Sequence, residues 1–350
     1  MAEQSPPLSI KPILWVDFIR SISIFLVIVI HVAGSLMYKW GEISRSDWMM
    51  GNIYDAFARV SVPLMFMVSG YLLLGKQESI SAFYFKRFRK VFIPFLVWSV
   101  FYLIWENGYG NYTFLNAIKT IVYNILTTPA SFHMWFLYEL MAIYLFVPLM
   151  RVFIASAEDI HLWYFAGIWF LFGPILEMVE RILGIGIAFD LGFFTSYIGF
   201  FVIGYLLGKL EFSNKLTWTF AAAYLIFGAY TIYATYALSA NAGDYVQYYY
   251  WYTRINIVLM SFSAFLLFKK WGEMISSTWA VRWFRYFAQA SFGIYLIHVA
   301  VLIYLRRMGI SAFSGPAVYA VPLVSMLIMA ISWGLVAIIR RIPVLRETTP

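Results

Sequence analysis

The chain has 350 residues, of which 63% are apolar, 21% aromatic and only 12% charged, and it contains no cysteine. With a mean hydropathy of +0.77 this is not the balance of a soluble globular domain, and the missing thiols exclude disulfides, cysteine metal sites and thiol chemistry. A net charge of +8 would suggest a nucleic-acid partner on a soluble protein; here the cations lie mostly between apolar runs, where membrane topology accounts for them and no nucleic acid is expected.

Residues 1–12 are polar and read as a cytoplasmic tail. The apolar run after them is too long for the core of a signal peptide and contains Arg20, so a retained membrane helix is expected over residues 13–36. Further spans of roughly 20 residues are expected at 50–74, 88–106, 134–154, 160–182, 194–210, 216–239, 250–268, 284–305 and 317–339. The stretch 110–132 is amphipathic and ends in Thr-Thr-Pro, which suggests a helix lying in the interface. The expectation is an all-α, polytopic bundle of about ten transmembrane helices, forming one domain over 13–341 with a tail at 342–350. Placing the N-terminus inside puts about sixteen Lys and Arg on the cytoplasmic side and six on the other, so both termini are expected to be cytoplasmic. No internal repeat is apparent, which disfavours inverted-repeat transporter folds.

Polar residues inside these spans are costly, at roughly 2.5–3.5 kcal/mol for a charge at the helix centre, and each is therefore a candidate for function. In the first span Arg20 and His31 lie eleven steps apart, or about three turns and 16 Å, and so share a face. Asp17 lies one turn before Arg20 and can pair with it, in the plainer reading as an interfacial ion pair. The second span contains Arg59 and Pro63; Pro63 is expected to kink the helix, and Arg59 to face a polar cavity or, more plainly, to pair with Asp55. His133 and Trp135 open the fourth span, with Glu139 deeper. Arg254 starts the eighth, and His298 lies in the outer part of the ninth. The basic run containing Lys86, Arg87 and Arg89, with Arg282 and Arg285, sits at the inner end; it is most simply a topology signal and also suits a phosphate-rich cytosolic ligand. No spacing of His, Asp and Glu suggests a metal site, and no glycine-rich phosphate loop is present.

The Arg20–His31 pair, the first-span sequence VDFIRSISIFLVIVIH, and RVSVPLMFMVSGYLL, FKRFRKVFIPFLVWS, HMWFLYELMAIYLFVP, YIGFFVIGYLLGK and ASFGIYLIHV together resemble the acyltransferase-3 family of membrane O-acyltransferases, in that family's order and across nearly the whole chain. The resemblance is strongest to the branch that contains the enterobacterial common antigen O-acetyltransferase. Two positions depart from it: Phe18 and Ser21 stand where the family usually has glycines.

The resemblance implies a multi-pass protein of the bacterial inner membrane that moves an acyl group, acetyl by default, from cytosolic acyl-CoA to a hydroxyl of a cell-envelope glycan or glycolipid, with no permanently bound cofactor. His31 would act as general base or as acyl acceptor, with Arg20 and Arg59 as further catalytic groups. Asp17, Arg20, Lys86, Arg87, Arg89, Arg282 and Arg285 would bind the donor. His133, Trp135, Glu139, Arg254 and His298 would bind the acceptor. Intramembrane charges in a helical bundle also fit a second reading, a secondary transporter of a small polar solute.

Overall fold

The computed structural model describes residues 13–107, 114–188, 192 and 196–350. The predicted N-terminal tail and the first residues of the segments predicted at 110–132 and 194–210 lie outside them. Among the described residues there is no strand, and nine helical runs are long and apolar enough to cross a membrane.

The chain runs through α1 (Leu14–Met37), α2 (Arg45–Ala58), α3 (Ser61–Leu74), α4 (Ile80–Arg87), α5 (Ile93–Asn107), α6 (Phe114–Thr127), α7 (Trp135–Ser156), α8 (Asp159–Phe170), α9 (Leu176–Leu183), α10 (Ile198–Lys209), α11 (Asn214–Ala242), α12 (Ile255–Met274), α13 (Thr278–Arg307) and α14 (Ala317–Ile339). Pairs α2–α3, α4–α5 and α8–α9 each continue one another as a single run, and α10 is the one shorter apolar helix. The segment predicted to lie in the interface forms α6, which is mostly exposed, with Leu115, Val122, Tyr123 and Leu126 facing outward.

Helix α1 is the centre of the bundle and packs against α2, α3, α12, α13 and α14. Side chains such as Ile19, Ile24, Ile28 and Ala33 are completely buried. The kink expected at Pro63 is displaced by one turn. The chain breaks at Arg59–Val60, and Pro63 becomes the third residue of α3. The first intrahelical bond there runs from the Leu64 amide to the Val60 carbonyl at 2.9 Å. A proline at that position loses no bond, because the first amides of a helix have no intrahelical acceptor.

Helices α3 and α10 approach more closely than side chains would allow. A Cβ on Gly70 would fall 1.8 Å from the Phe201 carbonyl oxygen, and one on Gly204 would fall 2.2 Å from the Met67 Cα. Small residues serve this purpose in membranes, where close van der Waals packing replaces the hydrophobic drive between helices. Gly70→Ala should therefore push the two backbones apart and destabilise the protein by about 1–3 kcal/mol or more. A thermal unfolding midpoint in detergent equal to that of the parent would refute this.

The helix ends divide into two sets. At one, the basic end, Glu78 accepts hydrogen bonds from Lys86 at 2.7 Å and Arg151 at 3.0 Å. Burial alone would raise the Glu78 carboxyl, but those two bonds outweigh it and hold the group below its ordinary value. The other end carries three histidines and is called here the histidine end.

Candidate functional site

Helices α1 and α13 lie side by side and run in the same direction. Ser21 Oγ donates to the Phe284 carbonyl at 3.0 Å, Arg20 donates to Ser291 Oγ at 3.2 Å, and the ring of His31 stacks on that of His298 with centroids 5.3 Å apart. The two positions at which the typical glycines are absent are thus filled by contacts of this seam, since Phe18 packs edge-on against Phe284 at 4.9 Å. Arg20 and His31 do fall on one face of α1, and that face is turned toward α13. Arg20 closes no ion pair with Asp17, because Ser291 takes its guanidinium.

At the basic end the seam opens into a cavity of about 560 Å³. Four cations line it: Arg20, Arg87, Lys90 and Arg340, together with Tyr144, Gln289 and Ser291. Arg340 is fixed by donating to the Gln289 carbonyl at 2.8 Å and the Thr349 carbonyl at 2.7 Å. Burial lowers its guanidinium from the ordinary value, and as an arginine it remains charged. Phe136 and Tyr295 also line this cavity. The same two side chains line a second, much smaller chamber of about 20 Å³, whose other walls include His31, His133, Trp135 and Tyr252. His31 also borders a void of about 30 Å³ with Ser35, Arg306 and Ser311. His31 thus lines both small spaces, and the first of them shares Phe136 and Tyr295 with the large cationic cavity.

The imidazoles of His31, His133 and His298 form one cluster, with the ring of His133 at 5.1 Å from that of His298. His133 and His298 are almost completely buried. His298 Nδ1 lies 2.7 Å from the Tyr295 carbonyl, which can only accept, so Nδ1 carries the proton and Nε2 carries the lone pair. Nε2 of His298 has no hydrogen-bond partner. The Tyr295 hydroxyl donates in turn to the His133 carbonyl. No group of three His, Asp or Glu among the described residues is placed to share a metal ion.

The remaining predicted site residues divide. Arg87 and Arg20 line the large cavity, and Trp135 walls the small chamber, stacked on Tyr252 at 5.6 Å. Lys86 is taken up by Glu78 and Arg89 by Glu347 at 3.3 Å; neither lines the cavity, nor do Asp17, Arg282 and Arg285. Arg59 follows the plainer of its two readings. Its Nε sits 2.8 Å from Asp55 Oδ1, with both residues buried, and its guanidinium lies 4.5 Å from the ring centroid of Tyr250 and 5.8 Å from that of Tyr252. It does not line the chamber, and it meets the chamber wall at Tyr252. Glu139 is partly buried on α7 and outside the chamber. Arg254 pairs with Glu177 and lines a separate cavity.

Lys90 belongs to the basic run FYFKRFRK read as a possible phosphate site, whereas sequence reasoning passed over Tyr144, Ser291, Tyr295, Tyr252, Phe136 and Arg340. For two of them a signal existed. Ser291, Tyr295 and His298 are spaced by four and three residues, one face of a helix, so that marking His298 should have marked the others. Nothing local distinguishes Phe136 or Tyr252 from the many aromatics that merely pack.

A family model described as an acyltransferase domain matches residues 13–337. Among curated proteins, the succinoglycan biosynthesis protein ExoH of Rhizobium meliloti (strain 1021) is 25% identical over 159 residues, which are 40% of this chain and 42% of that protein. The chain thus matches less than half the length of this relative. No solved structure matches the chain.

Proposed function

The chain belongs to the acyltransferase-3 family, and from that premise we propose that it is a membrane O-acyltransferase whose donor is a cytosolic acyl-CoA and whose acceptor is a hydroxyl of an extracytoplasmic glycan or glycolipid. The observation that carries this reading is the position of His31, which lines both the void beside Ser35 and the small chamber that shares Phe136 and Tyr295 with the cationic cavity. The basic end would be cytoplasmic, as the distribution of Lys and Arg favours, and the membrane would be the bacterial inner membrane. Within the family the proposed neighbour is the enterobacterial common antigen O-acetyltransferase branch.

In this mechanism Arg20, Arg87, Lys90 and Arg340 hold the phosphates of the donor, for which guanidinium groups provide paired donors. The pantetheine arm passes Phe136 and Tyr295 and brings the thioester to His31. The acceptor hydroxyl attacks the thioester carbonyl while His31 removes its proton. The carbon–sulfur bond breaks, and the CoA thiolate leaves and takes up a proton. A neutral imidazole has a ring nitrogen able to take up that proton. His133 and His298 complete the acceptor-side pocket. Arg59 acts at one remove, by holding Tyr252 in the chamber wall.

A chamber of about 20 Å³ has room for roughly one water-sized group, which favours acetyl over longer acyl chains. Phe136→Ala removes a ring common to chamber and cavity. The variant should accept butyryl-CoA or hexanoyl-CoA, with kcat/KM for these donors rising at least about tenfold relative to acetyl-CoA, since one or two methylenes in an apolar pocket are worth roughly 1–3 kcal/mol. An unchanged preference would remove the size argument. The reading as a whole is tested with labelled acetyl-CoA and purified protein in vesicles. Ligand binding raises apparent stability, so a thermal midpoint that acetyl-CoA leaves unmoved, together with absence of transfer, would instead favour transport.

A further inference from the structure

A second cavity, of about 250 Å³, lies between α9, the segment before α12 and the start of α12 itself. We propose that it is a subsite for an acidic saccharide residue, one bearing a carboxylate. The assignment of that saccharide to the acceptor rests on the acyl-transfer reading; the binding itself does not.

Two arginines meet on one ring here. The guanidinium of Arg181 lies 3.8 Å and that of Arg254 4.0 Å from the ring centroid of Tyr248. Arg254 pairs with Glu177, whereas Arg181 forms no ion pair among the described residues. Asn256 is only 2% exposed, and its amide nitrogen is already committed to Thr231 Oγ1 and the Tyr249 carbonyl, both at 2.9 Å. These bonds tie the start of α12 to α11 and brace the wall of the cavity.

The chemistry of these groups points to one ligand class. The two guanidinium groups suit a carboxylate, and the rings of Tyr230 and Tyr249, also on the wall, suit the apolar face of a pyranose. The position agrees with an acceptor role. Tyr252 walls the His31 chamber and Arg254 walls this cavity, and two residues of chain reach at most about 7 Å. A bound oligosaccharide can thus be held here by an acidic residue while another residue presents its hydroxyl nearer His31.

The test measures binding directly, without turnover. Full-length protein in phosphatidylcholine nanodiscs is titrated with a glucuronate-containing disaccharide and with cellobiose. Arg181→Gln is the informative variant, because Arg181 is exposed and pairs with no carboxylate among the described residues. The acidic disaccharide should bind at least about tenfold more tightly than the neutral one. Arg181→Gln should abolish that difference without moving the unfolding midpoint or the stabilisation by acetyl-CoA. Equal affinities for the two sugars, or a preference that survives in the variant, would overturn the proposal. So would loss of the preference when phosphatidylglycerol is added to the discs, since the cavity would then be a lipid-headgroup site. If His31→Ala shows no change in catalysis, the acyl-transfer reading fails while sugar binding in the same preparations still decides this one.

Discussion

His31→Ala is expected to lower acyl transfer by about 10²- to 10⁴-fold, the contribution of a positioned general base, while acetyl-CoA still stabilises the protein. The separation follows from geometry. The four cations line the large cavity and His31 does not, so removing the imidazole leaves the proposed phosphate-binding groups in place. Arg20→Gln should do the reverse, raising KM for the donor more than it lowers kcat. Single-turnover measurements with labelled acetyl-CoA give both quantities. Full transfer activity in His31→Ala would end the proposed mechanism. Labelled acyl-enzyme trapped in the absence of acceptor, and absent from His31→Ala, would replace the general base with an acyl-imidazole.

The second large effect is on stability. Asp55→Ala leaves the Arg59 guanidinium buried with no counter-charge, and breaking a buried pair in this way costs about 3–5 kcal/mol. Asp55 is 0% and Arg59 7% exposed, so water cannot substitute for the lost carboxylate. Replacing both, as Asp55→Leu with Arg59→Met, removes the charge and its partner together and should recover most of the loss. Unfolding midpoints of the two single variants and the double variant measure this coupling; additive losses would show that the pair is not a unit. The folded double variant also separates two roles for Arg59. If Arg59 acts only by holding Tyr250 and Tyr252, kcat falls modestly and recovers when those rings are held by the apolar replacements. If its charge acts on the reaction, kcat stays low although the fold is restored.

Much of the architecture was legible because the bilayer imposes a length. Residues 317–339 were predicted as a span and form α14 over the same positions, and residues 13–36 differ from α1 by one residue at each end. The Arg20–His31 face was legible for a similar reason, since helical periodicity alone places two residues eleven apart on one side. The fate of each polar group was not. Arg20 had a neighbour available in Asp17 and bonds Ser291, 271 residues away. Arg59 and Arg254 looked alike as intramembrane arginines, yet one is locked to Asp55 within its own helical run and the other lines a separate cavity. Lys86 and Arg87 are adjacent in a single basic run, and only Arg87 faces the cavity.

By itself the sequence determined that this is a polytopic helical membrane protein with a polar face on its first helix, because hydrocarbon thickness and the 3.6-residue repeat are read along one chain. Tertiary structure alone decided which residues meet. Apolar side chains facing lipid and apolar side chains facing another helix have the same composition, so the crossing of α1 with α13, the glycine contact of α3 with α10 and the ring pair Phe136–Tyr295 could not be ordered from composition or period. Those crossings set His31 against His298 and let it line both a small chamber and a void.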